Sequence, residues 1–145
     1  MRINQIQSIS FQYHSPLKDL YKQGKFKGLK SFSGEELTNP SIDHVVPKSK
    51  GGRDNIGNYV LTNQKENADR GNKNIDYYIE KNPQGMLDYI YWFEHNKVEG
   101  FDCKGYIQKV INTINNISEK FIILNMLWNK ERKLIMACKG KKKGK

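Results

Sequence analysis

Apolar residues recur at three- and four-residue steps through the last third of the chain: Ile107, Val110, Ile111, Ile114, Ile117, Phe121, Leu124 and Trp128. That is the period of an amphipathic helix sustained over about six turns. It predicts either one long helix or two joined near Ser118. Met86, Tyr89, Ile90 and Phe93 mark a helix before it that ends ahead of Gly100. Ile75, Tyr78 and Ile79 mark another, stopped at Asn82-Pro83. Near the start, Ser15-Pro16 reads as an N-cap followed by Pro at the first helical position. The helix it opens runs from Pro16 to Gln23, with Leu17, Leu20 and Tyr21 on one side and Gly24 as its stop. Ser33-Gly34-Glu35-Glu36 resembles a cap and one helical turn, ended before Pro40. Ile3, Ile6, Ile9 and Phe11, about three apart, fit a strand, a helical turn or an arm equally.

The pattern changes between Ser41 and Lys73. Ser41–Val46 is a short strand candidate, ended or bent by Pro47. Lys48–Asn55 is polar and glycine-marked, a loop, and Asn58–Thr62 is a second strand candidate. Asn63, with Glu66 three residues on, predicts an N-cap and a helix over about Gln64–Asn72. Strand, loop, strand and helix make an element too small to bury a core alone. The later helices are expected to cover it, with a dimer seam as the rival use of the long apolar stripe.

The chain has 145 residues with 37% hydrophobic and 28% charged, which suits one globular domain. No linker or internal repeat divides it. The expected layout is one domain over 1–138, with its core at about 41–73, helices at about 75–137, and a lysine-rich flexible tail at 139–145. No apolar run approaches the ~18–20 residues that span a bilayer. Met1–Gln5 lacks a signal-peptide apolar block. The expectation is no membrane and a reducing cytoplasm, that of a bacterial or phage-infected host cell. In a reducing compartment a Cys103–Cys138 disulfide is possible but disfavoured, and the two cysteines form no CxxC pair. With His14, His44 and His95 as the only histidines, no structural zinc is expected.

Net charge is +10, which points to a polyanion partner. Lys139, Lys141, Lys142, Lys143 and Lys145 carry five of those charges, and the body keeps +5 without them. Lys22, Lys25, Lys27 and Lys30, interleaved with Tyr21 and Phe26, form a second basic stretch, readable as a phosphate-contacting arm or a solvated loop.

The string Asp43-His44-Val45-Val46-Pro47, then Gly51-Gly52, Asn58-Tyr59-Val60-Leu61, Asn67 and Arg70-Gly71, resembles the HNH endonuclease family in its Asp-His…Asn…Asn form. Phage nucleases and the HNH domain of RNA-guided nucleases carry that form. The resemblance covers this segment and little outside it. It implies an α+β fold, with a small ββα-metal core embedded in a mainly helical domain. It also implies a stand-alone, phage-type nuclease that hydrolyses DNA.

Phosphodiester hydrolysis needs an activated water and stabilisation of charge at the phosphate. A histidine can take the water's proton, and oxygen ligands can hold Mg²⁺ or Mn²⁺ as the Lewis acid. By resemblance, His44 is the general base, Asp43 and Asn67 hold the metal, and Asn58 braces the loop that carries the base. Lys48, Lys50, Arg53, Arg70 and Lys73 are the basic residues expected at DNA phosphates, Arg70 sharing a helix face with Asn67. A neutral amide and one carboxylate make a weak protein cage, which suits an ion that keeps several waters. In a regular strand the adjacent Asp43 and His44 point to opposite faces, so both reach one phosphate only if the strand ends or distorts there. Three readings follow: a metal-dependent DNA endonuclease, a non-cleaving DNA-binding or regulatory protein on the same scaffold, and an RNase or DNA-damaging toxin. Double-strand cutting with one site per chain would favour a homodimer.

Overall fold

A computed structural model describes residues 15–143, with side chains through Lys133. Ile3, Ile6, Ile9, Phe11 and His14 lie outside the described residues, as does the side chain of Cys138. The order is α1 (Pro16–Lys22), β1 (Pro40–His44), β2 (Tyr59–Asn63), α2 (Gln64–Arg70), α3 (Asp76–Lys81), α4 (Pro83–His95), α5 (Cys103–Asn115) and α6 (Glu119–Lys143). This is an α+β fold: a two-stranded ββα core inside a mostly helical body.

Local chemistry sets most boundaries. Ser15 Oγ accepts from Leu17 N at 3.1 Å and opens α1. Asn82 and Asp102 cap α4 and α5 by accepting from the amides of Gly85 and Gly105. The long apolar stripe resolves into two helices. Ser118 is buried at the break, where its Oγ accepts from Phe121 N and donates to Asp76 Oδ1. α6 continues through Lys143, so the backbone of 139–143 is helical where composition predicts a flexible tail. Lys, Ala and Met are good helix formers. Ser33–Glu36 is a turn and not a helix, because Gly34 stands at φ +91°.

β1 and β2 pair antiparallel, Pro40 opposite Asn63 and His44 opposite Tyr59. A two-stranded sheet has two open edges whose backbone groups need partners. On β2 two helices and the segment at Phe32 supply them. Tyr106 donates its hydroxyl to Tyr59 O at 2.6 Å, Tyr89 Oη accepts from Leu61 N at 3.1 Å, and Phe32 N donates to Leu61 O at 2.8 Å. Tyr89 and Tyr106 also bond each other at 2.8 Å. The covering helices therefore hold the hairpin by directed bonds as well as by apolar contact.

Around these tyrosines Phe26, Phe32, Tyr78 and Phe93 pack edge to face, with ring centroids 4.9–5.6 Å apart. Each such ring contributes roughly 1.5–3 kcal/mol by burial. The apolar stripe of α5 (Ile107, Val110, Ile111, Ile114) is buried, whereas α6 buries Phe121 and leaves Ile122, Ile123, Met126 and Leu127 exposed. No helix among the described residues is long and apolar enough to cross a membrane.

Candidate active site

The site is built on the end of the hairpin and the loop that closes it. After His44 the chain leaves the sheet, turns through short 3-10 segments at Lys48–Lys50 and Ile56–Asn58, and returns as β2. Gly51 takes φ +88° at the first turn. At Gly52 any side chain would place a Cβ 1.7 Å from Val46 O, so the loop folds back on itself only with glycine there. Asn58 is buried and ties the loop together. Its Oδ1 accepts from Val46 N at 2.8 Å, and its Nδ2 donates to Val46 O at 3.1 Å and Arg53 O at 2.9 Å.

This closure brings Asp54 to His44. The imidazole Nε2 lies 3.0 Å from Asp54 Oδ1, and Lys48 Nζ reaches the other carboxylate oxygen at 2.9 Å. Tyr59, whose ring sits edge-on to the imidazole at 5.1 Å, hydrogen-bonds the same carboxylate. Hydrogen bonds from Lys48 and then His44 pull Asp54 down to about 2. With Nε2–H donated to Asp54, the lone pair of the neutral ring resides on Nδ1. That atom has no hydrogen-bond partner among the described residues. Asp54 is the site residue that sequence reading misses. It lies ten positions from His44 in a polar loop, and only the turn chemistry of Gly51-Gly52 and Asn58 hints at the approach.

Asp43 points the other way. β1 stays regular through His44, so the alternation of strand side chains holds and Asp43 faces the interior. It is 3% exposed, with Oδ1 accepting from Arg70 Nη1 at 3.0 Å and Oδ2 from the Tyr78 hydroxyl at 2.5 Å. Burial raises its carboxyl above the usual 3.8, against the pull of Arg70 and Tyr78. Burial and then the Asp43 carboxylate push the Tyr78 phenol up.

Arg70, expected at a phosphate, is fully buried. Its guanidinium donates to Asp43 Oδ1 and to the carbonyls of His44, Val45 and Lys73. From the last turn of α2 it clamps β1, and its donors are spent inside the protein. The other four basic residues are exposed. Lys48 pairs with Asp54, Lys50 donates to Asn74 Oδ1 at 3.3 Å, and Lys73 sits over the Tyr77 ring at 4.9 Å.

Asn67 is half-buried on α2. Its Nδ2 donates to Ser41 Oγ at 3.0 Å and Ile42 O at 3.1 Å, which leaves Oδ1 without a hydrogen-bond partner among the described residues. Asn63, expected as the N-cap of α2, makes no capping bond. Its Oδ1 accepts from Thr38 N and Asn39 N, and its Nδ2 donates to Glu36 O and Glu66 Oε1. Glu66 in turn is buried and takes hydrogen bonds from Ser31 and Ser33.

The donors available to a metal are thus oxygen donors. Asn67 offers a free carbonyl oxygen. Asp43 keeps the lone pairs that Arg70 and Tyr78 leave, about two of roughly four. No cluster of three His, Cys, Asp or Glu side chains suited to a metal forms among the described residues. The set matches a hard, largely hydrated divalent cation in donor type, but Asp43 is buried with both oxygens engaged by Arg70 and Tyr78.

A hairpin, the loop that closes it and a helix packed across β1 define a ββα element with His44 at the end of its first strand. Residues 30–74, roughly a third of the chain, match the sequence model of a family described as HNH endonuclease. Neither a curated protein nor a solved structure matches the chain.

Proposed function

We propose that the protein is a metal-dependent endonuclease that hydrolyses DNA phosphodiester bonds with a water activated by His44. The observation that carries this reading is the His44–Asp54 pair. Asp54 fixes the ring with its proton on Nε2 and its basic Nδ1 unengaged at the rim of the site. Nδ1 takes a proton from water, the resulting hydroxide attacks phosphorus, and the bond to the 3′ oxygen breaks. The products carry a 5′ phosphate and a 3′ hydroxyl, the 3′ oxygen gaining a proton from solvent. Asp43 and Asn67 would hold the divalent cation, Mg²⁺ or Mn²⁺, which when bound stabilises charge on the phosphate and the leaving oxygen. Asn58 keeps the loop closed so that Asp54 meets the imidazole. Lys48, Lys50, Arg53 and Lys73 surround this end with positive charge and give affinity without sequence preference. Asp54 is a positioning residue, acting through His44.

One observation favours a second reading. Both oxygens of Asp43 are engaged by Arg70 and Tyr78 in the interior, which suits a DNA-binding protein that keeps the HNH scaffold without cutting. Plasmid cleavage separates the two readings. Wild type and His44→Ala are compared with Mg²⁺, with Mn²⁺ and with EDTA. Nicking or linearisation that needs both metal and His44 is expected. Intact plasmid under every metal, from folded protein that binds DNA, would establish the binder.

A further inference from the structure

We propose that residues 22–30, from the last residue of α1 into the loop leading to the hairpin, form a second DNA contact, a rigid lysine ridge that grips duplex phosphates away from the bond being cut. The inference rests on reading the chain as a DNA-acting protein, and it concerns a segment almost wholly outside the HNH match.

The ridge is sorted by direction. Phe26 and Leu29 are buried, while Lys22, Lys25, Lys27 and Lys30 are exposed. It is also held rigidly. Gly24 and Gly28 turn the chain at φ +76° and +83°. Lys25 N donates back to Leu20 O at 3.0 Å, and Trp92 Nε1 donates to Lys27 O at 3.0 Å. Phe26 is fixed edge-on against Trp92, Phe93 and Phe101 with centroids 5.3–5.9 Å away. A loop already ordered in this way loses little entropy on binding.

None of the four lysines has an ion-pair partner among the described residues, whereas Lys48, Lys120 and Arg132 each have one. Clefts of about 630 and 460 Å³ flank the ridge, and Lys97 stands in the wall of the smaller one. The acidic residues lining the two clefts are Glu36 and Glu99. No large apolar side chain of 22–30 is exposed, as a membrane-binding surface would need.

Tyr21 donates its hydroxyl to Leu37 O at 2.7 Å, which seats the ridge near the Pro40 end of β1, and His44 is at the other end. At about 3.3 Å per residue the strand spans roughly 13 Å, or about four base-pair rises. The ridge therefore meets phosphates flanking the scissile one and adds affinity without reading bases.

The test measures binding of a fluorescein-labelled DNA duplex by anisotropy, in EDTA, across a KCl series. The combined Lys25→Ala, Lys27→Ala, Lys30→Ala variant is set beside Lys104→Ala, Lys130→Ala, Lys133→Ala, which removes equal charge from exposed positions elsewhere. All six side chains are exposed, and thermal melts of both variants check that each folds. Each lost phosphate contact lowers the slope of log K against log salt by about 0.9. A slope shallower by about 2–3 and affinity down roughly 10–100-fold at 0.15 M salt are expected for the ridge variant, with little change in the control. Equal slopes in the two variants, or no measurable binding by wild type, would overturn the proposal. Loss of plasmid cleavage alone would overturn the nuclease reading and leave the ridge standing, because binding is measured without metal.

Discussion

His44 Nε2 and Asp54 Oδ1 lie 3.0 Å apart, joined across a loop that Asn58 holds shut. The pairing is between a strand-end histidine and an exposed carboxylate, so its use is orientation more than stability. A ring free to rotate would present Nδ1 to water only part of the time. Asp54→Asn leaves the shape and removes the negative acceptor. It is expected to lower kcat by about tenfold or more with KM little changed, the mark of an interaction used in the reaction and not in substrate binding. Steady-state cleavage of a short duplex, fitted for both constants, checks this. A change confined to KM would assign Asp54 to binding.

The same carboxylate makes a pH prediction. Asp54 is held at about 2, below its usual 3.8, first by Lys48 and then by His44. A depressed carboxyl contributes its pairing above the unfolded value and loses it as pH falls through the folded one. The Asp54 contacts should therefore survive at pH 3 and be lost as pH falls through about 2. A carbon-detected NMR titration of the Asp54 carboxyl reads this directly, and Lys48→Ala should move the midpoint up toward 3.8. An unmoved midpoint would show that Lys48 does not set it.

Asn58→Ala removes three hydrogen bonds to Val46 and Arg53 from a buried position. Backbone groups left without partners cost about 1–3 kcal/mol each where water cannot reach, so a loss of about 2–4 kcal/mol is expected in urea denaturation. The loop also carries Asp54. A double-mutant cycle of Asn58→Ala with Asp54→Asn should then show that the two losses of kcat overlap and do not multiply.

Much of this could be read from residue order. The two strand candidates flanking the glycine-marked loop became the hairpin, and Ser15-Pro16 marked the start of α1. The apolar stripe placed α5 and left open one long helix or two joined near Ser118, of which the structure has two. What escaped were side chains whose partners are distant in sequence. Tyr89 and Tyr106 are core positions by spacing, yet their hydroxyls satisfy the open edge of β2. Asn63 has the composition of a cap, but three backbone groups of residues 36–39 and the Glu66 carboxylate take its amide instead. Asn67 and Arg70 do share a helix face, but α2 lies against β1. A long side chain in its last turn therefore runs beneath the strand and not out to a ligand.

Arg70 is consequently a structural residue. Breaking a buried ion pair by removing one partner costs about 3–5 kcal/mol, and Arg70→Ala should lose that much by urea denaturation. Asp43 sets the pH dependence of the loss. Its folded carboxyl is raised, so its contribution is full below 3.8 and is lost as pH rises through the folded value. Removing the guanidinium takes away the leading opposing influence and carries that value higher. The deficit of Arg70→Ala relative to wild type should therefore grow as pH rises from about 4 toward neutrality. A deficit independent of pH would mean that Arg70 acts through the carbonyls of His44 and Val45 and not through Asp43.

Asn67 separates holding the fold from holding a cation. Its Nδ2 bonds tie α2 to Ser41 and Ile42, and its Oδ1 is the oxygen available to an ion. Asn67→Ala removes both functions, with an expected stability loss of about 1–2 kcal/mol from the two bonds. Asn67→Ser is smaller, keeps a hydroxyl and withdraws the carbonyl. If the amide oxygen holds the metal, both variants should raise the Mg²⁺ concentration for half-maximal cleavage by about tenfold or more, whatever their difference in stability. If Asn67 is only a clamp, the Mg²⁺ midpoint should stay at the wild-type value while the melting temperatures fall. Isothermal titration of Mg²⁺ into the folded protein gives the same answer without reliance on turnover.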